Sequence, residues 1–491
     1  MRALLISTFD LGRQPFGLAS PAAWLRREGV DVRSLDLAKE QLDHEALRSA
    51  DLVAFHLPMH TATRLAAPVI KNARAMNPFA RICAYGLYAP LNAAFLRSLG
   101  VDDVLGGEFE ADLTAIAREV ACRTAGGRSA GVPPSLEASA DRRSLGGGSQ
   151  ACQTADLEVP IAPATLPRLL FLVPDRTGLP GLANYATLQY GDGTSRIVGY
   201  TEASRGCRHL CRHCPVVPIY KGQFRVVQAD VVLADVAAQV AAGAEHITFG
   251  DPDFFNGPTH ALRIVEGFHA AHPAVTYDVT IKVEHLLQHR ELMPRLRETG
   301  CLFVTSAVES LDDRVLALLE KGHTRRDFFE AASLCRAAGL TMVPTFVAFH
   351  PWLSLEGYCD LLDVLADLDL VGHVAPIQLA IRLLIPEGSR LLELEEVRRL
   401  VGAFDARTLT HRWSHPDPRV DRLHEEVASL VGARLTSDRA ALFDEICALA
   451  YQRAGLGRPA PRPVRDRAMV PYLSEPWYCC AEPNPEQVAL V

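Results

Sequence analysis

Short apolar and β-branched runs alternate with helical patterns over the first 120 residues. This alternation predicts five strands separated by helices, at 3–7, 30–34, 52–56, 81–85 and 103–105. Ser20 and Pro21 predict the start of the first helix, because a hydroxyl caps a helix and proline suits its first turn, and Gly29 predicts its end. The pattern is typical of a doubly wound, Rossmann-like α/β domain, whose ligands lie beyond the carboxyl ends of the strands.

The alternation resumes at Tyr200, after a stretch rich in glycine and serine. From there the pattern predicts six strands, all but the last followed by helix, at 200–204, 246–250, 275–281, 302–307, 341–348 and 374–383. This succession predicts a partial (β/α)6 barrel, in which functional residues follow the strands. Residues 396–455 are predicted to be helical. We therefore expect a domain at 1–120, a flexible linker at 121–165, a partial barrel at 166–395, and a helical extension with a cysteine-containing tail at 396–491.

The composition restricts the partners that this chain could bind. Its 491 residues include 50 Lys and Arg against 58 Asp and Glu, a net charge of −8. A negative chain has no overall field to hold a polyphosphate, so neither a nucleic-acid partner nor a tRNA-modifying activity is expected. No apolar run reaches the ~18–20 residues that span a bilayer, and the apolar start meets Asp10 and Arg13 too soon for a signal peptide. We expect a cytoplasmic protein without a membrane partner.

Twelve cysteines in such a chain favour metal binding or thiol chemistry over disulfides. Cys207, Cys211 and Cys214 form a C-x3-C-x2-C loop directly after the first barrel strand. One tight loop can bring three thiolates to a [4Fe–4S] cluster and leave one iron open, able to chelate the amino and carboxylate groups of a methionine-type substrate. Zinc is the alternative, with His209 or His213 as a fourth ligand. The spacing favours the cluster and leaves zinc open.

This loop, after a strand that opens a six-fold β/α region, resembles the radical S-adenosylmethionine (SAM) superfamily over about residues 195–385. The resemblance implies an enzyme that binds a [4Fe–4S] cluster on the three cysteines and cleaves SAM reductively. Gly250-Asp251-Pro252-Asp253 is similar to the segment that binds the SAM amino group, and 306–310 is similar to the superfamily's G-x-E-S turn. A departure is His213, where the superfamily usually has an aromatic residue. The cofactor-binding residues that the resemblance implies are Gly250, Asp251, Pro252, Asp253, Lys282, Glu284, Ser306, Glu309 and Ser310.

The N-terminal domain resembles the cobalamin-binding domain of B12-associated radical SAM enzymes. Residues 104–110 are similar to the G-E-x-E ending of that domain. The resemblance implies cobalamin as a third cofactor. The Asp-x-His-x-x-Gly motif that ligates cobalt through histidine is absent after the first strand, so a domain that covers the barrel mouth or binds another ligand remains the alternative.

The C-terminal tail contains two adjacent cysteines, Cys479 and Cys480. Neighbouring thiolates can bind one thiophilic centre together. The sequence Cys479-Cys480-Ala481-Glu482-Pro483 resembles the tail of CUAEP/CCAEP-type radical SAM proteins, some of which have selenocysteine at the second position. The resemblance implies that Cys480 is a catalytic residue and that Cys479 is its partner or resolving thiol.

Together these features predict a radical SAM oxidoreductase or transferase that acts on a small molecule and receives electrons from an external donor of the flavodoxin or ferredoxin type. A cobalamin-dependent radical SAM methyltransferase is the first alternative. An iron–sulfur redox sensor that cleaves no SAM is the alternative outside enzymes. We also expect His350, after the fifth barrel strand, and Arg382, in the sixth, to face the cavity.

Overall fold

The computed structural model describes residues 1–128, 169–434, 438–460 and 470–475. In the N-terminal domain five parallel strands form a sheet of order β2-β1-β3-β4-β5, so the sequence-predicted doubly wound fold is confirmed. The strands are β1 (Arg2–Ser7), β2 (Asp31–Asp36), β3 (Leu52–His56), β4 (Arg81–Tyr85) and β5 (Asp103–Leu105). The helices are α1 (Phe16–Arg27), α2 (His44–Ser49), α3 (His60–Met76), α4 (Ala93–Ser98) and α5 (Glu110–Arg128). Most of the predicted linker lies outside the described residues.

Helix α1 begins earlier than its local sequence predicts. Ser20 is not the cap, because the helix already starts at Phe16, and its hydroxyl instead donates to the Glu110 carboxylate at 2.6 Å. Pro21 lies inside the helix and has no N–H to give to the carbonyl of Gly17. The Tyr85 hydroxyl donates to that carbonyl at 2.8 Å. A contact from β4 thus replaces the missing helical bond, and the proline is tolerated.

The second domain is an open barrel of parallel strands. Its strands are β6 (Thr187–Gln189), β7 (Ser195–Thr201), β8 (Ser204–Gly206), β9 (Phe224–Val226), β10 (His246–Phe249), β11 (Thr276–Thr280), β12 (Cys301–Glu309) and β13 (Thr341–Phe346). The helices are α6 (Val216–Tyr220), α7 (Ala229–Ala241), α8 (Pro258–Ala271), α9 (Val283–Gln288), α10 (Met293–Glu298), α11 (Asp313–Leu318), α12 (Arg325–Ala337) and α13 (Leu355–Asp367). Strands β7, β10, β11, β12 and β13 are parallel neighbours in that order, β6 is antiparallel at one edge, and β8 and β9 form a separate hairpin.

The predicted sixth strand, 374–383, is wrong. This segment forms 3-10 turns at Val371–His373 and Pro376–Leu379 and has one isolated parallel bridge, Phe349 to Arg382. Proline at the first position of the second turn cannot donate to a strand ladder. The side chain of Gln378 instead accepts a hydrogen bond from the Phe346 N–H at 2.8 Å. A side chain thus provides the hydrogen-bond partner for the backbone N–H of the last residue of β13.

The C-terminal extension is only partly helical. Helices α14 (Glu395–Leu400), α15 (Pro418–Gly432) and α16 (Arg439–Ala454) are interrupted by a hairpin of β14 (Val401–Asp405) and β15 (Thr410–Trp413). The indole N–H of Trp413 donates to the Leu383 carbonyl at 2.8 Å, which anchors the hairpin on the barrel. Strand β16 (Tyr472–Leu473) pairs antiparallel with β6. No helix among the described residues is long and apolar enough to cross a bilayer.

The carboxyl edge of the N-terminal sheet packs against the barrel. Phe9 and Met59 belong to the same buried apolar cluster as barrel residues such as Ala203. A Cβ on Gly107, after β5, would lie 2.6 Å from the Tyr220 ring, so only glycine allows this approach. The edge at which doubly wound domains bind ligands therefore faces the loops that follow the first barrel strand.

Candidate active site

The three cysteines of the C-x3-C-x2-C loop follow the short hairpin strand β8. Gly206, before the first cysteine, has a φ of +76°, and a Cβ there would lie 2.4 Å from the Tyr220 ring. Glycine therefore permits the turn into the loop. The Cys214 N–H donates to the Cys211 carbonyl at 3.1 Å, a tight turn that brings the second and third cysteines together. Cys211 is buried, whereas Cys207 and Cys214 are partly exposed.

Two buried lysines lie close to these thiols. Burial raises the pKa of Cys207 to about 11, with further increases from Asp253 and Cys211, and Lys282 opposes the shift. Burial, with Cys211 next, raises the pKa of Cys214 to about 12, and Lys321 opposes it. Three neighbouring thiols with buried cations beside them are a donor set suited to an anionic iron–sulfur cluster, because metal binding displaces the thiol protons.

Asp253, after β10, lies against two imidazoles. Its Oδ2 lies 2.7 Å from His285 Nδ1 and 3.4 Å from His209 Nε2. Burial acts to raise the pKa of Asp253, but these contacts outweigh it and lower the pKa to about 2. The other ring nitrogen of His209 lies 3.6 Å from Glu284, which also contacts Lys282 at 3.3 Å. His209 therefore connects the cysteine loop to predicted site residues after β10 and β11.

The zinc alternative has a possible ligand set in this arrangement. Cys207, His209 and Asp253 each offer one ligand atom, and these atoms lie within 4.8 Å of one another. His209, however, lies between two carboxylates, and His213 lies against Glu309. Neither imidazole joins the three thiols as a fourth ligand in this arrangement.

The segment 250–253 packs tightly against the first barrel strand. A Cβ on Gly250 would lie 1.7 Å from the Tyr200 hydroxyl, so any other residue would collide. Asp251 accepts hydrogen bonds from the Ser204 hydroxyl at 2.5 Å and the Ala203 N–H at 2.9 Å. Burial raises the pKa of Asp251 to about 7, although both bonds oppose the shift. Pro252 is partly buried beside it.

The G-x-E-S-like turn ends β12. Glu309 has a φ of +70°, a left-handed backbone conformation that residues with a side chain rarely adopt. Such strain is often found at functional sites. Its Oε1 lies 3.0 Å from His213 Nε2 and 3.4 Å from Lys321 Nζ. Burial acts to raise the pKa of Glu309, but Lys321 and then His213 outweigh it, so the pKa falls to about 2. The Ser306 hydroxyl is buried without a hydrogen-bond partner among the described residues, and the Ser310 hydroxyl accepts the N–H of Asp312.

A cavity of about 250 Å³ lies beyond the ends of β12 and β13. Glu309, Ser310, His350 and Trp352 are among its lining residues, so His350 faces a cavity as expected. The expectation for Arg382 is wrong. Its guanidinium pairs with Asp421 at 2.8 Å and stacks 3.6 Å from the Trp413 ring. Arg382 therefore packs against the C-terminal extension and does not face a cavity.

Cys479 and Cys480 lie outside the described residues. Three residues of the site were not predicted. Arg205 forms 2.7 Å ion pairs with Glu110 and Glu202, and His285 and Lys321 contact predicted carboxylates. The signals in the sequence are the position of Arg205 just before the cysteines, that of His285 soon after β11, and that of Lys321 in the run that continues after the G-x-E-S-like turn.

Comparisons with known proteins show what this chain is similar to. The Radical SAM superfamily model matches residues 201–365. A tRNA-2-methylthio-N(6)-dimethylallyladenosine synthase from Chlorobium phaeobacteroides (strain BS1) is 26% identical over 42% of this chain and 50% of its own length. The hopanoid C-3 methylase of Methylococcus capsulatus (strain ATCC 33009 / NCIMB 11132 / Bath) is 25% identical over 71% of this chain and 64% of its own length. The chain thus spans half to about two thirds of these curated relatives.

A solved structure shares the fold of most of this chain. The cobalamin-dependent SAM radical enzyme OxsB with aqua-cobalamin bound aligns with a TM-score of 0.63 at 15% identity, over 88% of this chain and 67% of the other. At this identity the likeness concerns the fold. The matches to a synthase and a methylase indicate an enzyme. Residues 201–365 of this chain are a radical SAM domain, the domain of enzymes that use a [4Fe–4S] cluster and SAM.

Proposed function

We propose that this chain is a radical SAM enzyme that binds its [4Fe–4S] cluster through Cys207, Cys211 and Cys214 and modifies a small-molecule substrate. The observation that carries the proposal is the gathering of three thiols beside two buried lysines, within the matched domain. When bound, the cluster and SAM supply the radical chemistry, in which an electron breaks a carbon–sulfur bond of the sulfonium. The protein's part is to hold both groups and to exclude water.

The residues around the loop suit this task. Lys321 is 3% exposed and pairs with Glu309, so it holds a positive charge beside the thiols and fixes the strained turn at the end of β12. Gly250 lies directly against the Tyr200 side chain, and its N–H donates to the Thr201 carbonyl at 2.8 Å, which fixes the segment 250–253 beside the first barrel strand. The buried Ser306 hydroxyl has no described partner. We propose that SAM binds to this surface through residues 250–253, Lys282, Glu284, Ser306, Glu309 and Ser310.

Anaerobic reconstitution with iron, sulfide, SAM and dithionite tests the proposal, with 5′-deoxyadenosine measured by chromatography. Wild-type protein should form the product, and Cys211→Ala should form none and lose the cluster absorbance. Cys122→Ala, which removes an exposed thiol on α5, is the matched control and should behave as wild type. If wild-type protein has a full cluster and bound SAM but yields no product, the proposed enzymatic function would be contradicted and the redox sensor favoured.

We further propose that Cys479 and Cys480 bind a thiophilic substrate or intermediate. The support is the position of Glu475, the last described residue before them. A Cβ on Gly12 would lie 2.8 Å from the Glu475 carboxylate, so the tail departs beside the loop after β1. Four to five residues span at most about 14–18 Å, which limits how far either thiol can be from this point. The guanidinium of Arg13, next to Gly12, lies 4.8 Å from the Tyr200 ring at the first barrel strand.

Arsenite, which binds paired thiolates, is a direct probe of the tail. Wild type should bind arsenite more tightly than a Cys479→Ala/Cys480→Ala variant, and Cys122→Ala should leave binding unchanged. The tail variant should still cleave SAM, because the three cluster cysteines are intact. Equal arsenite affinity of wild type and the tail variant would refute the proposed role.

A cobalamin-dependent methyltransferase is the second candidate. It is supported by the packing of the carboxyl edge of the N-terminal sheet on the barrel and by the fold shared with OxsB. The described loop after β1, at Phe9 to Arg13, offers no imidazole, so that loop would supply no histidine ligand to cobalt. Purified protein incubated with hydroxocobalamin and desalted should retain about one equivalent by absorbance. Protein that retains none would exclude this candidate.

We also propose an external one-electron donor of the flavodoxin or ferredoxin type, because cleavage of SAM consumes an electron that no described group supplies. We expect the enzyme to act in the cytoplasm. The nine described cysteines are all free thiols, which suits a reducing compartment.

A further inference from the structure

The cavity of about 250 Å³ beyond β12 and β13 reaches from the strand ends to the first turns of two helices. Arg325 begins α12, Gly357 lies in the first turn of α13, and both line the cavity. Glu309 and Ser310 line it as well, so it adjoins the surface proposed for SAM. We call it the rim cavity. Its volume is just below the ~300–1,000 Å³ of typical small-molecule sites, so a ligand that fills it is small.

His350 gives this wall a polar group that the protein does not use. The residue is 5% exposed, and its Nδ1 has no hydrogen-bond partner among the described residues. Burial lowers the pKa of His350 to about 4, so the ring is neutral at pH 7 and one of its nitrogens accepts a hydrogen bond. A buried polar atom without a partner costs free energy, which a ligand that donates a hydrogen bond recovers.

The side chains that line the rim cavity carry an excess of negative charge. The Glu309 carboxylate pairs with Lys321, and Asp360 pairs with Arg325. Asp312 has no cationic side chain within ion-pair distance in the described part of the chain; its Oδ1 caps the start of α11 at 2.8 Å. Asp312 acts to raise the pKa of His350, so the carboxylate and the imidazole are close to each other. One unpaired carboxylate therefore lies beside a neutral ring that accepts a hydrogen bond.

The rest of the wall is apolar and leaves room beside α13. A Cβ on Gly357 would meet only the Ser354 hydroxyl at 3.2 Å and the Leu353 side chain at 3.8 Å within the described structure. The helix therefore has bare backbone at this point. The indole N–H of Trp352 donates to Glu396 at 2.8 Å, which fixes the ring at the cavity. The aliphatic lining residues are Leu311, Val347, Ala348, Leu353 and Leu361.

We propose that the rim cavity binds a small compound with a primary ammonium group and a short apolar body. An ammonium ion has three N–H donors, so it can pair with Asp312 and also donate to His350. A neutral hydroxyl has one donor and no charge, and a carboxylate would be repelled by Asp312. The aliphatic residues and the Trp352 ring cover the apolar body. The site requires no cleavage of SAM, so it is tested separately from the proposed function.

Binding of n-pentylamine to the reconstituted protein tests this inference. 1-Pentanol and pentanoate have the same apolar body and differ in the head group. Isothermal titration and ligand-observed NMR give the affinities. We expect n-pentylamine to bind at least tenfold more tightly than 1-pentanol, and pentanoate to bind more weakly than either.

Two variants change the cavity in different ways. Asp312→Asn removes the charge and keeps a residue that caps a helix well, so the fold is retained and the affinity for n-pentylamine should fall at least tenfold. Gly357→Leu fills the open space and suits a helix better than glycine, and it should bind none of the three probes. Asp438→Asn is the matched control, because Asp438 caps α16 and does not line the cavity; it should bind n-pentylamine as wild type does.

Equal affinity of n-pentylamine for wild type and Asp312→Asn would overturn the inference, as would undiminished binding in Gly357→Leu. SAM has an ammonium group of its own, so the titration is repeated with saturating SAM, and n-pentylamine should stay bound. Its displacement by SAM would assign the cavity to SAM and overturn a separate site. Wild type that forms no 5′-deoxyadenosine would contradict the proposed function, whereas these affinities would still decide the role of the cavity.

Discussion

Arg205 connects the two domains through a buried charge cluster. Its side chain is 7% exposed and forms 2.7 Å ion pairs with Glu110, at the start of α5, and with Glu202, at the end of β7. The guanidinium also lies 5.4 Å from the Phe109 ring and 4.9 Å from the Phe171 ring. Replacement by methionine keeps much of the apolar stem and removes the charge. Arg205→Met therefore leaves two carboxylates, one of them fully buried, without their shared cation.

The expected loss can be worked from this geometry. Removing one member of a buried ion pair costs about 3–5 kcal/mol, since the remaining charge stays desolvated. Glu110→Gln should cost less, because Arg205 keeps Glu202 as a partner. Burial raises the pKa of Glu202, and Arg205 opposes that shift. In Arg205→Met this pKa rises further, so protonation at low pH restores part of the stability, and the loss is largest at high pH.

Urea unfolding of the full chain, followed by tryptophan fluorescence at pH 5 and pH 8, measures these differences. Arg295→Met is the control, since Arg295 pairs with Glu266 and Glu298 on the exposed surface, and it should leave the unfolding free energy unchanged within error. A loss below about 1 kcal/mol for Arg205→Met at pH 8, or a loss that grows as the pH falls, would refute the reasoning.

Three further predictions concern single positions. Burial raises the pKa of Asp10 to about 7 from 3.8, so the folded protein favours the protonated carboxyl and loses stability as the pH rises through this window. Asp10→Asn should therefore raise the melting temperature at pH 8 and not at pH 4. Glu309→Gln leaves Lys321 buried without its carboxylate and should lower the free energy of unfolding in urea by about 3–5 kcal/mol. The double variant Glu309→Gln/Lys321→Met should recover part of this loss. Equal losses in the single and double variants would contradict the pairing. Gly250→Ala should weaken SAM binding at least tenfold in equilibrium dialysis, because the new methyl group collides with Tyr200, and unchanged affinity would show that the segment moves freely.

Much of the fold could be predicted because it depends on local pattern. Strands β3, β4 and β5 have the predicted bounds, since short apolar runs of three to five residues between helical patterns favour buried strands. The predicted sixth strand failed for a non-local reason. At the edge of β13, the side chain of Gln378, which belongs to this segment, accepts the Phe346 N–H in place of a backbone carbonyl. Pro376 has no N–H to donate to a strand ladder. The prediction that Ser20 caps α1 was wrong for a similar reason, because its hydroxyl donates to the distant Glu110 carboxylate.

The sequence by itself determined that three thiols lie close together, because three cysteines within eight residues of one loop must stay together in any fold. Only the tertiary structure decided the surroundings of that set. Arg205 meets Glu110, and His209 meets Asp253, across 95 and 44 residues of chain. The physical reason is that a buried charge takes its partner from whichever loop the packing of helices and strands brings within about 4 Å, and no local pattern records that distance.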